Sequence, residues 1–304
     1  MVTATAQNDR FRPTERLIDT SGQQPSAQRN LTSGSRQDPL EHGCVRWLEC
    51  APMTEDVRNI VLGLIAAGIS ASLGWLARTY LWKRRLRRKQ AFFGLPDNSE
   101  SLLVVNRDAG GPELTVKRHD VFALLELSAL IKDCGAHAQV VAHDTAQQGF
   151  GERTEFCVGG PVSNRRMAAH MVSLLPGVRV NTDPEPGPDR GAFQIGSERY
   201  RLEPGVTEYV VLARLTAGQA KEARPVFLFC GQLPITNQAA TRYLARHHER
   251  LARKHGNTSF VLLLKVVNSG AYGPDVVELV ADVTRAAQTP LPAPAVQRTS
   301  HRAK

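Results

Sequence analysis

Two stretches of this sequence share a form that suits ligand binding. FCVGGPVSN (Phe156–Asn164) and FLFCGQLPITN (Phe227–Asn237) each run from an apolar strand through glycine into a turn and then a helix. In open α/β sheets, ligands bind beyond the carboxyl ends of the strands, where glycine admits close backbone approach and helix N-termini favour anions. Gly159, Gly160 and Gly231 are the cradle positions, with Ser163, Asn164, Thr236 and Asn237 as the polar groups beside them. The same residues also serve tight turns and helix caps, which is the plainer reading. Neither stretch is a GxGxxG or carries the GK[ST] of a phosphate loop, so no dinucleotide or nucleoside-triphosphate site is indicated by motif.

Residues for catalysis are thin. Asp144, just past one strand, and Glu208, at the start of another, could face a cleft, although charged strand ends also serve solubility. His119, His137, His143, His170, His247, His248 and His255 are scattered, and the adjacent pair at 247–248 points about 100° apart on a helix. No HExxH or GxSxG occurs. Cys44, Cys50, Cys134, Cys157 and Cys230 form no CxxC and no spaced Cys/His set, so buried free thiols are expected, with no metal and no cofactor.

The elements that must position these groups alternate. Strands are expected at 101–106, 138–143, 156–158, 207–215, 225–230 and 259–267. Asp120 is placed to cap a helix ending at Gly135. Further helices are expected from about Asn164, from Thr236 to His255, and over PDVVELVADVTRAA (Pro274–Ala287). AFQIG and RYRL, joined by Ser197–Glu198, read as a hairpin. The fold class that follows is α/β, Rossmann-like: a mainly parallel sheet with helices on both faces and an antiparallel portion supplied by that hairpin.

Ahead of the domain runs IVLGLIAAGISASLGWLA, with no charge from Ile60 to Ala77, then Arg78, TYLW and KRRLRRK. The 23 positions from Ile60 to Trp82 make a helix of about 34 Å, enough to cross a ~30 Å hydrocarbon core. The expected organisation is a disordered tail over 1–52, a transmembrane helix with basic flank over 53–90, an α/β domain over 91–290 and a disordered tail over 291–304. A chain starting at Met53 would have a short acidic N-terminus and a clean anchor, so the first 52 residues read as a dispensable tail or an over-extended start.

Charge supports this division. Residues 1–90 carry 14 basic and 8 acidic residues, and residues 91–304 carry 24 and 21, so most of the net +9 lies outside the domain. A nucleic-acid footprint would put the excess on the domain, and no nucleic acid is expected. Arg78, Lys83, Arg84, Arg85, Arg87, Arg88 and Lys89 follow the span, against Arg46 and Arg58 before it. The asymmetry places the N-terminus outside, the domain in the cytoplasm of a single-pass protein, and the seven basic residues against anionic lipid headgroups.

A single span, the basic stop, FFGLP (Phe92–Pro96), EFCVGGPVSNRRMAAH, TEYVVLARL, CGQLPITNQAATRYL and VVNSGAYGPDVVELV together resemble an uncharacterised group of actinobacterial membrane-anchored proteins over about residues 53–288. That resemblance lends no catalytic residues. GGP-x-x-N after a strand is faintly similar to a Rossmann-like domain of archaeal surface-layer proteins, which bears on fold alone. The functional expectation is a membrane-tethered sensor or regulatory domain that binds a small anionic ligand or a protein partner. An enzyme on a nucleotide or other anionic small molecule, and a structural scaffold, are the alternatives.

Overall fold

The computed structural model describes residues 55–107, 115–145, 149, 151–216 and 223–291. The expected tail over 1–52, all of the expected tail over 291–304 but Leu291, and Met53 lie outside the described residues, Cys44 and Cys50 among them. The chain divides into residues 1–62 and residues 63–304, and of the first unit only the start of one helix is described.

That helix, α1, spans Glu55–Phe93. Glu55 and Asp56 in its first turn complement the partial positive charge of a helix N-terminus. Its apolar stretch has a mean hydropathy of 2.0 and none of it is buried in the protein, so it is long and apolar enough to cross a membrane. The helix runs on through the basic cluster without a break and ends inside the domain core, where Phe92 and Phe93 are buried. Gly94 then stops it at φ +65°, where a side chain would collide with Pro225.

The domain continues with β1 (Glu100–Val105), α2 (Arg118–Asp133), β2 (His137–Ala142), β3 (Thr154–Val158) and α3 (Arg165–Leu174). Three short strands follow: β4 (Val178–Val180), β5 (Phe193–Ile195) and β6 (Glu198–Tyr200). Then come β7 (Thr207–Thr216), β8 (Pro225–Gly231), α4 (Pro234–His255), β9 (Phe260–Val267), α5 (Ser269–Tyr272), β10 (Val277–Asp282) and α6 (Thr284–Gln288). Seven strands form one sheet in the order β10-β9-β7-β8-β3-β1-β2. The ladders joining β2, β1, β3 and β8 are parallel; those joining β8, β7, β9 and β10 are antiparallel. Five of the seven strands therefore point the same way.

Both faces of the sheet are covered at its inner strands, which is why β1, β3, β7, β8 and β9 read as near-continuous apolar runs, while the edge strands β2 and β10 are largely exposed. Leu103, Phe156, Phe227 and Leu262 face one core with α2, α4 and the end of α1. Val104, Cys157, Leu228 and Leu263 face the other, with α3, α6 and the small sheet β4-β5-β6.

Three expectations need correction. The hairpin at 193–200 exists but belongs to the separate small sheet, and the antiparallel part of the main sheet is β7, β9 and β10. The helix expected over 274–287 is instead strand β10 followed by the short α6. Val276, Val277, Val280 and Val283 fit a helical spacing, but β-branched residues suit a pleated edge, and pairing with β9 settles the outcome despite a bulge between Leu279 and Ala281. Asp120 does not cap α2; it lies within the first turn and its side chain is committed elsewhere.

Candidate ligand cleft

The connection leaving β1 leads to α2 on one face of the sheet, β3 leads to α3 on the other, and β8 leads to α4 back on the first. Neighbouring parallel strands that send their connections to opposite faces leave a crevice at their carboxyl ends. Here it is an open cleft of about 690 Å³. Gly160, Ser163, Gly231 and Asn237 from the two glycine turns line it, together with Asn106 at the end of β1. Pro161, Val162, Leu202 and Leu233 give it apolar walls, and Asn181, Asp183 and Arg190, from the loop between β4 and β5, form a polar rim.

Beneath the cleft lies a buried bridge that no motif indicates. Asp120 is 0% exposed, and its two carboxylate oxygens accept from Asn106 Nδ2 and Asn237 Nδ2, each at 2.8 Å. Three elements are thereby joined: the end of β1, the first turn of α2 and the first turn of α4. Burial pushes the Asp120 carboxyl above its ordinary range, and the two amide donors and nearby His119 and Lys117 act against that push. Asn106 and Asn237 are only 6% and 2% exposed, and neither Oδ1 has a hydrogen-bond partner among the described residues. Only Asn237 was a site residue on sequence grounds. Asp120 carried a local capping signal that hid its tertiary role, and Asn106 carried no signal.

The glycines do different things. At Gly159, φ is +109° and a Cβ would stand 2.7 Å from Asn106 Cβ. At Gly231 a Cβ would collide with Thr236 Oγ1 and crowd Asn237 Oδ1. These two make room for the asparagines. At Gly160 the nearest atom to a Cβ would be Gly231 O, at 3.6 Å, so of these three glycines it is the one that has room for a side chain.

Gly159, Asn164 and Thr236 stand behind the lining. Asn164 caps α3: its Oδ1 accepts from Met167 N at 2.9 Å and its Nδ2 donates to Val158 O at 2.8 Å. Thr236 Oγ1 donates to Leu233 O at 2.7 Å. Ser163 Oγ lies 3.3 Å from both Asn106 Nδ2 and Gly160 O, accepting from the first and donating to the second. Gln232, also missed by sequence, holds the cleft's far side. Its Oε1 accepts from Tyr209 N and its Nε2 donates to Gly191 O and Tyr200 O.

The residues weighed for catalysis lie elsewhere. Glu208 is buried and its Oε1 accepts from Gly205 N and Ser269 Oγ, while Asp144 is exposed beyond β2. Among the described residues, neither they nor any histidine lines the cleft. His170 and Arg166 instead contact the buried Glu155 on β3. Among the described residues no group of three or more His, Cys, Asp or Glu side chains could hold a metal ion. Cys134, Cys157 and Cys230 are buried free thiols, pushed by burial up to about 11, well above the usual range, and up to about 12 respectively. Of the seven basic residues placed against headgroups on sequence grounds, Arg78, Lys83, Arg84, Arg85, Arg87 and Arg88 are exposed on α1, and Lys89 pairs with Asp133 at 3.4 Å. Compared with known proteins, the chain matches no family model and no curated relative.

Proposed function

We propose that this is a single-pass membrane protein whose Rossmann-like domain, residues 91–290, stands in the cytoplasm and binds a small ligand without turning it over. The ligand sits in the cleft at the ends of β1, β3 and β8. The observation that carries this reading is the open cleft of about 690 Å³ where β1, β3 and β8 send their connections to opposite faces, lined by Asn106, Gly160, Ser163, Gly231 and Asn237. The exposed basic residues of α1 contact anionic headgroups on the cytoplasmic side.

The test is a thermal-shift screen of the detergent-solubilised chain against nucleotides, amines, amides and small anions, repeated on Gly160→Val. A raised melting temperature that Gly160→Val removes supports the cleft. No shift with any compound counts against it. For orientation, a reporter active only in the cytoplasm and fused after Lys304 should be active; activity solely from an extracytoplasmic reporter overturns the topology.

A further inference from the structure

On the face of the sheet away from α2 and α4, the small sheet β4-β5-β6 and α6 border a second open cavity of about 690 Å³. It shares no lining residue with the cleft at the strand ends. We infer that this cavity takes a phosphate monoester, held by Arg179 and Arg285.

Strand pairing fixes which side chains of the small sheet look outward. Val178, Phe193 and Ile195 pack inward on the core, so Arg179 on β4 and Gln194, directly opposite it on β5, share the outward face. Arg285 on α6 lines the same cavity, as do Gln194 and Ser197. Among the described residues neither Arg179 nor Arg285 has a partner for its guanidinium. The acids at hand are taken. Asp282, which also lines the cavity, accepts from Thr284 and from Lys254 Nζ. Asp189, which shares a smaller cavity with Arg179, is bound by Arg199 and Arg201. Two positive charges left at one cavity disfavour each other, and an oxyanion that serves both relieves this. A carboxylate offers two oxygens and a single charge. A phosphate monoester offers three free oxygens and about −1.5 to −2 charge at pH 7, which suits two guanidinium forks from different elements. Val283, Ala286, Pro290 and Leu291 add apolar surface for the esterified group.

The cavity lies at the end of the sheet where α1 joins it. Val283 N donates to Val261 O, and the neighbouring Phe260 pairs with Arg214, which binds the Phe92 carbonyl in the last turn of α1. The phosphate therefore has two available sources: a soluble ester, or the headgroup of a lipid in the membrane that the proposed span would cross.

Phenyl phosphate is the probe and benzoate its carboxylate counterpart, both followed by ligand-observed NMR with the full chain in phosphatidylcholine nanodiscs. Phenyl phosphate should bind the more tightly. Arg179→Gln combined with Arg285→Gln should weaken it about tenfold or more. Both arginines are exposed, so this double variant should keep the native melting temperature within a few degrees. Arg246→Gln, which removes an exposed arginine paired with Asp275, and Gly160→Val, in the other cleft, should each leave binding within about twofold. Nanodiscs containing phosphatidic acid, a lipid phosphomonoester, or phosphatidylserine at matched charge separate the two sources. Phenyl phosphate displaced by phosphatidic acid alone supports the site with a lipid occupant; equal binding in both supports it with a soluble one. Preference for benzoate, undiminished binding to the double variant, loss in Gly160→Val instead, or no binding at all overturns the proposal.

Discussion

Arg214 Nε donates to the carbonyl oxygen of Phe92 at 3.0 Å, linking the inner sheet strand β7 to the last turn of α1 across 122 residues. Its Nη1 donates to Asn257 O and Thr258 O, and its guanidinium lies 5.7 Å from the Phe92 ring centre. All its hydrogen-bond partners among the described residues are main-chain carbonyls, and burial pulls its pKa down to about 10. Thr154 Oγ1 adds a bond to Gly94 O at 2.6 Å. The helix is fastened to the domain by atoms that every side-chain substitution at 92, 257 or 258 leaves in place.

Arg214→Met should therefore cost about 2–4 kcal/mol, because it strands the buried Phe92 carbonyl and two part-buried carbonyls at Asn257 and Thr258. Arg214→Lys should recover less than half of this, since an ammonium cannot spread over the same fork of acceptors. Urea denaturation measures the loss, and amide hydrogen exchange at Phe93 and Leu95 should accelerate first. Unchanged exchange there would separate Arg214 from the joint.

Glu155 predicts a pH signature. Burial works to raise its carboxyl, but hydrogen bonds from His170 and Arg166 prevail and hold it below its ordinary 4.5. A lowered folded-state pKa contributes stability that is present above the unfolded value and lost as pH falls through the folded one. Glu155→Gln should cost about 3 kcal/mol at pH 7, and the gap to the native chain should shrink steadily below about pH 4.5. Melting curves between pH 3 and 7 check this; a gap independent of pH would sink it.

Adjacent glycines should behave oppositely. Gly159→Ala forces a side chain onto φ +109° and into Asn106, and should cost about 2–4 kcal/mol. Gly160→Ala, one residue on, should stay within about 1 kcal/mol. Chemical denaturation of the two variants, side by side, distinguishes a glycine kept for packing from one bordering the cleft.

On the proposed topology, replacing Lys83, Arg84, Arg85, Arg87 and Arg88 with glutamine should give a mixed or inverted orientation by reporter fusion, because those charges would supply the orienting bias. Lys89 is left unchanged, since it pairs with Asp133. Uniform retention of the native orientation would show that another feature orients the span.

What could be read from the sequence was what local chemistry determines. Strands buried on both faces show as apolar runs, so β1, β3, β7, β8 and β9 were expected close to where they lie. The glycine turns led to four residues of the cleft: Gly160, Ser163, Gly231 and Asn237. What stayed hidden depends on partners distant in sequence. Asp120 looks like a helix cap until Asn106 and Asn237 are brought to it, the latter from 117 residues away. The loop 181–191 reads only as a turn-rich connection, and nothing local says that it borders a cleft formed by three strand ends. The segment 277–282 has helical spacing, and only the free edge of β9 makes it a strand.

The helix α1 has no break between Gly63 and Phe93, and its last turn is fastened into the core. Such a joint has no swivel. Each residue inserted or removed between Trp82 and Phe92 would turn everything beyond it by about 100° and move it about 1.5 Å along the axis. The compass bearing of the cleft about α1 is thus set by a count of residues.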